Sequence, residues 1–193
     1  MTIFEFVFSL YSLLFGLALT QVFAGFGNTL QERHKIRAGW LTPLLGLFVI
    51  MDLTSFWATG WDMRNMFRPD FLYLLCGVLL AGLYYLAARL VFPRNFAEWA
   101  DFDVYYFRHK KWVFGSILFV NSVAVAVLVA GGDPYVRSEL GVPDLVSYFI
   151  PLIALLAVRN KRWNIALLVL LLTRYAVFPP LEALGIGATT QVI

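Results

Sequence analysis

Four polar side chains interrupt the long apolar runs of this chain at positions that a bilayer would surround. They are Asp52, Arg174, Asn121 and Gln21, and together we call them the polar layer. A charge at the centre of a bilayer costs about 2.5–3.5 kcal/mol on insertion scales, so such residues pair with one another or line a route for ions or protons. The polar layer therefore predicts either a buried ion pair or a site through which a small ion passes.

Three tryptophans predict that these side chains lie at similar depths. Each follows a basic cluster and precedes an apolar run; they are Trp40, Trp112 and Trp163. Because Trp prefers the headgroup level, we expect all three to be interface anchors. Asp52, Asn121 and Arg174 follow their anchors by 12, 9 and 11 residues, a rise of about 13–18 Å along a helix. Gln21 lies at a comparable depth in the first run, which has the opposite direction.

Pairing between Asp52 and Arg174 is the most specific hypothesis that these depths allow. The pair would lie inside the bundle, with Asn121 and Gln21 nearby, either to fix the helices or to line a proton or ion route. Two alternatives stay open. Arg174 is close enough to Pro179 for its guanidinium to reach the outer headgroups, and Asp52 could make a structural hydrogen bond, as a neutral acid in apolar surroundings.

The composition places these residues in a membrane protein. Hydrophobic residues make up 61% of the 193 residues and charged residues 14%, with a mean hydropathy of +0.76. A soluble domain is typically about half apolar and about a quarter charged. The composition therefore argues against an ordinary water-soluble enzyme, and an aromatic content of 17% rules out a disordered chain.

Six apolar runs approach or exceed the length of a membrane helix, which is about 20 residues. Strands are excluded because no run alternates with period two and only closed barrels span lipid as sheet. The fifth run is short and contains Pro151, which would kink it, so it is a tilted span, a span that locally thins the bilayer, or a re-entrant segment. We predict an all-α, polytopic bundle, a single domain 1–193, with six transmembrane helices at residues 3–30, 40–60, 71–92, 112–130, 144–158 and 163–178.

The distribution of basic residues predicts the orientation of this bundle. The first, third and fifth connections carry 11 of the 15 Lys and Arg residues. Cytoplasmic loops collect Lys and Arg, so these connections face the cytoplasm and both termini lie outside. Attraction to anionic lipids is a second role for the same charges.

A stripe of small residues recurs every four positions along the first helix. Its members are Ser12, Gly16, Thr20, Ala24 and Asn28. Small residues at this spacing let helices approach closely, so we expect helix packing. The alternative is that the stripe faces a water-filled cavity or an oligomeric interface.

The third connection, residues 93–111, interleaves aromatic and charged side chains. This composition is typical of a helix that lies in the plane of the membrane interface, and it also suits a docking surface for a soluble partner. The spacing of Glu98, Asp101, Asp103 and His109 matches no metal-binding motif. We therefore predict a cytoplasmic interfacial segment without a metal.

Residues for enzyme chemistry are missing from the predicted spans. His34 and His109 are the only histidines, and Cys76 is the only cysteine. A membrane-buried bis-histidine haem, a Ser-His or Cys-His nucleophile at depth and an intrachain disulfide are therefore excluded. No phosphate-binding or dinucleotide-binding glycine motif occurs. We expect no catalytic activity and no cofactor, and the net charge of +3 does not suggest nucleic-acid binding.

Three stretches of the chain resemble a family of small, uncharacterised bacterial multipass membrane proteins. They are residues 4–9 leading into 15–20, Ser55 to Asp62, and Asp103 to Trp112. The resemblance rests on patterning and covers about the first two thirds of the chain. It implies a helical bundle in the bacterial inner membrane, and it implies no reaction, substrate or site.

Two functions fit these observations. The first is permeation or transport of a small ion or proton through the polar layer around Asp52; one chain of this size offers little lumen, so a channel would be a homo-oligomer. The second is a non-catalytic membrane scaffold or accessory subunit that binds a partner membrane protein, with Asp52 and Arg174 fixing helix register. Membrane lipids are expected partners in both cases.

Overall fold

A computed structural model describes residues 2–32, 34, 39–66, 70–95, 98–99 and 101–183. Across these residues the regular structure is helical, which confirms the predicted all-α bundle. Short 3-10 helices, Met63–Met66 and Pro134–Arg137, follow the second and fourth α-helices. The α-helices are α1 Ile3–Gln31, α2 Leu41–Asp62, α3 Phe71–Arg89, α4 Phe102–Gly131, α5 Gly141–Ala157 and α6 Lys161–Ala183. The basic connection at residues 33–38 lies largely outside the described residues, as does Arg68.

The helix ends follow local capping signals. Thr2 and Glu5 form a reciprocal capping box at the start of α1, where each side chain accepts a hydrogen bond from the other residue's backbone N–H. Asp70 and Asp101 cap α3 and α4 through their carboxylates. Gly132 ends α4 in the left-handed region, with φ of 72°, a conformation that favours glycine.

Helix α4 begins ten residues before the predicted span at 112–130. Asp101 provides the cap, and no proline interrupts the chain from Phe102 to Gly131. Residues 102–111 of the predicted interfacial segment are therefore the first turns of α4. Location of this segment at a membrane surface stays a prediction.

Four helices, α1 to α4, are long and apolar enough to cross a membrane, and α5 is a shorter apolar helix of 17 residues. Large apolar side chains face outward along the bundle: Phe71, Leu13 and Ile150 are exposed by 79%, 62% and 62%. A soluble monomer does not present so much contiguous apolar surface. The protein is therefore a membrane protein whose outer face suits lipid.

Helix α2 occupies the centre of the bundle. It contacts α1, α3, α4 and α6, while α3 packs against α1 and α4, and α5 packs against α4 and α6. We call the end where α2, α4 and α6 begin the basic end, because it carries Arg89, Arg108, Lys111, Arg159 and Lys161, and the opposite end the distal end. The middle of α2, where Asp52 lies, is therefore enclosed by the other helices.

The small-residue stripe on α1 does not pack inside this chain, contrary to the expected role in helix packing. Gly16, Thr20, Ala24 and Asn28 are exposed, and only Ser12, half-buried, accepts a hydrogen bond from the Trp57 indole at 2.9 Å. Another face of α1 carries the buried residues Phe15, Ala18, Val22 and Gly25. That face packs inside the bundle because Phe15 and Val22 bury more apolar surface than the small and polar residues of the stripe.

Gly25 on α1 lies directly against Phe92, three residues after the end of α3. A methyl group at this position would overlap the ring and Cβ of Phe92, whereas a methyl group at Gly16 would meet nothing within 4 Å. We predict that Gly25→Ala lowers the free energy of unfolding by about 1–3 kcal/mol through overpacking. Gly16→Ala should raise it by up to about 1 kcal/mol through helix propensity.

Unfolding of both variants by a denaturing detergent, titrated into mild detergent micelles, measures this difference. Equal stabilities for the two variants would show that α1 does not dock against Phe92.

Candidate functional site

The Asp52 carboxylate lies at the middle of α2 and is only 2% exposed. Its Oδ1 accepts hydrogen bonds from the hydroxyls of Tyr148 on α5, at 2.6 Å, and of Tyr175 on α6, at 2.9 Å. Its Oδ2 accepts one from the hydroxyl of Tyr84 on α3, at 2.7 Å. The shorter two bonds have the length typical of a hydroxyl that donates to an ionised acceptor.

Asn121 on α4 completes this group. Its Nδ2 donates to the Tyr84 hydroxyl at 2.9 Å and lies 3.5 Å from Asp52 Oδ2. The same amide also donates to the backbone carbonyl of Ile117, at 3.1 Å. Five helices therefore meet at one carboxylate, and we call the set Asp52, Tyr84, Asn121, Tyr148 and Tyr175 the Asp52 cluster.

Arg174 pairs with Asp144 and not with Asp52, so the predicted acidic partner of Arg174 is wrong. Nη2 of Arg174 lies 2.8 Å from both carboxylate oxygens of Asp144. Helices α5 and α6 form an antiparallel hairpin, which brings the start of α5 opposite Arg174. The guanidinium also lies over the rings of Tyr148 and Tyr175, with its Cζ 5.0 and 4.9 Å from their centroids.

Of the other two members of the polar layer, Asn121 belongs to the Asp52 cluster and Gln21 does not. Asn121 lies beside Asp52, as expected. Gln21 is half-buried on α1 and does not contribute to the Asp52 cluster. The expected proximity of Gln21 to Asp52 stays a prediction.

The three tyrosines were absent from the predicted site. Each lies in an apolar run, where an aromatic side chain predicts only a packing role. A usable signal was present, because a buried Tyr hydroxyl normally needs a hydrogen-bond partner and a deep carboxylate is the natural acceptor. Asp144 was missed for another reason: it lies at the predicted start of the fifth run, where an acidic side chain is ordinary.

A cavity of about 710 Å³ connects the Asp52 cluster with the distal end. Its walls come from the second half of α2, the second half of α4, the 3-10 helix Pro134–Arg137, the start of α5 and Arg174–Tyr175 of α6. On the other side of Asp52, Phe48, Phe114 and Leu152 are fully buried. Asp52 therefore lies at the closed end of a cavity that leads toward one end of the bundle.

The charges along this cavity are mainly negative. Four carboxylates line it, those of Asp52, Asp62, Asp133 and Asp144, together with the single guanidinium of Arg174. Asp144 is matched by Arg174, and one oxygen of Asp133 accepts from the backbone of Tyr135. The cavity therefore favours protons and other cations over anions.

A second buried polar group surrounds Lys110, near the basic end. Its ammonium, in a residue 2% exposed, donates to the carbonyls of Leu155, at 2.7 Å, and Val158, and to Asn164 Oδ1 at 2.9 Å. Tyr106 donates to the same amide oxygen at 2.9 Å. Lys110 thus satisfies carbonyls at the end of α5, where a cation is favoured by the helix dipole.

The sequence predicts Lys110 only as one of the basic loop charges that set topology. Its helical register explains the difference, because α4 extends through it and turns it inward with Phe114 and Ile117. The neighbouring Lys111 is exposed. At the same end, a hydrogen bond with Asp103 raises the pKa of the exposed Lys161.

The predicted interface anchors face outward. Trp40, Trp112 and Trp163 are exposed by 71%, 71% and 64%, so their rings are free to contact lipid. His109 stacks on Tyr105, with ring centroids 4.1 Å apart. No three His, Cys, Asp or Glu side chains converge as metal ligands within the described part of the chain.

The two adjacent lysines provide a matched test of the Lys110 group. We predict that Lys110→Met lowers the free energy of unfolding by about 3 kcal/mol or more, because two carbonyls and an amide lose a charged donor. Lys111→Met removes the same charge from an exposed position and should change stability by less than about 0.5 kcal/mol. Unfolding in mixed micelles measures both, and equal losses would contradict the buried role of Lys110.

Comparisons with known proteins give no evidence about the function. No family model, curated protein or solved structure matches the chain.

Proposed function

We propose that this protein is a multipass protein of the bacterial inner membrane that binds and passes protons at Asp52. The observation that carries the proposal is the position of this carboxylate, 2% exposed, at the closed end of a cavity of about 710 Å³. Intramembrane carboxylates that face a cavity are typical of proton relays.

The hydrogen bonds around Asp52 favour a proton over a larger cation. Three tyrosine hydroxyls lie 2.6–2.9 Å from its two oxygens. A metal cation would have to displace these donors to reach the carboxylate, whereas a proton needs only a reversal of hydroxyl orientation. Because a tyrosine hydroxyl both donates and accepts, the cluster can receive a proton from the cavity without a change in packing.

Release toward the basic end requires a second state of the bundle, because Phe48 and Phe114 close that direction. Helix α5 is the element best suited to change. Pro151 lies inside it, and proline removes a backbone hydrogen bond from a helix interior. Tyr148 precedes Pro151 by about one turn, so bending of α5 at this point would move one donor to Asp52.

The topology belongs to the same proposal. All six helices cross the membrane, both termini lie outside, and the basic end faces the cytoplasm, as the bias of Lys and Arg toward cytoplasmic loops predicts. The cavity then opens toward the periplasm. The exposed stripe on α1 from Gly16 to Asn28 suits contact with a second copy or with a partner membrane protein.

A scaffold or accessory subunit is the second candidate function. The observation that favours it is the saturation of Asp52 by donors from four other helices. Such a network fixes the register of a bundle even where no ion moves. Under this function, Asp52 contributes stability and the cavity has no part in permeation.

Proton flux separates the two functions. In liposomes that contain a pH-sensitive dye and an imposed potassium-valinomycin potential, we predict that the protein passes protons and that Asp52→Asn reduces the flux to that of protein-free liposomes. Asparagine keeps the size of the side chain, its oxygen can accept from two of the tyrosines and its amide N–H can donate to the third hydroxyl, so size-exclusion profiles should remain unchanged. Glu139→Gln, at an exposed distal position, is the control and should retain flux. Absence of flux from the parent protein would overturn the transport proposal and favour the scaffold.

Orientation is tested separately with single cysteines in a Cys76→Ala background. We predict that Glu139→Cys reacts with a membrane-impermeant maleimide on intact cells, because the distal end faces the periplasm. Lys111→Cys, which is exposed at the basic end, should react only after the inner membrane is permeabilised. The opposite labelling pattern would show that the distal end faces the cytoplasm and would contradict the predicted orientation.

A further inference from the structure

A second, apolar chamber lies beside the Asp52 cavity. It has a volume of about 470 Å³ and lies between the distal halves of α1, α2, α3 and α4. Its lining side chains include Phe8, Tyr11, Phe15, Leu80 and Val127. Leu72, which is 68% exposed, and the exposed Cys76 also line it. The chamber, which we call the apolar cleft, is therefore open at the lipid-facing surface.

The apolar cleft and the Asp52 cavity share a wall. Phe56 and Ala124 line both chambers. The Phe56 ring packs on Tyr84, with centroids 5.0 Å apart, and the Tyr84 hydroxyl is 2.7 Å from Asp52. A thin wall that includes one aromatic ring and one methyl group thus separates a surface open to lipid from the carboxylate.

The two chambers have complementary chemistry. The cleft offers aromatic and aliphatic surface, and its volume falls within the range of about 300–1,000 Å³ for small-molecule sites. The cavity offers four carboxylates against one guanidinium. The wall between them is aromatic, and aromatic faces attract cations. A molecule that satisfies both chambers has a hydrophobic body and a positive charge.

We infer that the apolar cleft, beside the carboxylates of the Asp52 cavity, is a binding site for an amphiphilic organic cation. The hydrophobic body lies in the cleft against Phe56, and the carboxylates on the far side of the shared wall attract its positive charge. This inference rests on the proposed proton site and deepens it, because a cation bound beside Asp52 competes with the proton held there. The inference therefore names a class of ligand that competes with protons at Asp52.

Cys76 reports occupancy without any mutation, since it is the only cysteine and lines the cleft. The purified full-length protein in lipid nanodiscs is alkylated with N-ethylmaleimide in the presence of tetraphenylphosphonium. At ten times its dissociation constant this cation should slow alkylation about tenfold. Triphenylphosphine oxide, a neutral molecule with a similar aromatic body, should protect far less.

Variants test the contribution of each chamber. Asp52→Asn should reduce protection by the cation to the level given by the neutral compound. Asp62→Asn, at an exposed cavity position, should weaken protection without a risk to folding. Leu79→Ala, on the exposed face of α3 and outside the cleft, is the control and should leave protection unchanged.

Equal protection by the charged and the neutral compounds, or protection by neither, would overturn the inference. Unchanged protection in both Asp52→Asn and Asp62→Asn would also overturn it. Proton flux that depends on Asp52, together with loss of this cation selectivity, would leave the proposed function standing and reject only the ligand class. Charge-selective protection without proton flux would reject the proposed function while retaining the binding site.

Discussion

A buried carboxylate needs hydrogen-bond donors from the protein around it, and this constraint organises the centre of the bundle. Asp52 receives hydroxyl donors from α3, α5 and α6 and lies beside an amide of α4. An unpaired carboxylate at this depth would be costly, so the relative positions of these helices are tied to one side chain. Apolar packing among Phe48, Phe114 and Leu152 is compatible with many helix registers. The hydrogen bonds to Asp52 can form in very few of them.

The same constraint acts on a cation near the basic end. Lys110 lies among neutral acceptors, two backbone carbonyls and an amide oxygen, rather than beside a carboxylate. Its charge is offset by the carbonyl dipoles at the end of α5. The bundle therefore holds an acid and a base in separate polar groups, one joined to the cavity and one closing the turn between α5 and α6. Arg174 and Asp144 form a third unit, which covers the tyrosine rings on the cavity side.

The sequence predicts the helices better than the contacts between them. Apolar runs of sufficient length indicated all six elements, and Asp52 and Asn121 stood out because a polar side chain at depth is unusual. Helical periodicity could not reveal that Arg174 meets Asp144, since partner choice depends on how the α5–α6 hairpin aligns. It also could not show that Lys110 turns inward, because that follows from the start of α4 at Phe102 rather than Trp112. The tyrosines were hidden by composition, as aromatic residues occur throughout the apolar runs.

The long sequence separation between Asp52 and Tyr175 has a consequence for biogenesis. The two residues are 123 positions apart, so at about 5–20 residues per second ribosomes need about 6–25 s to add the last donor after the carboxylate has been made. During that interval α2 carries an acid whose native partners are incomplete. The native environment of Asp52 is therefore complete only when α6 has been synthesised.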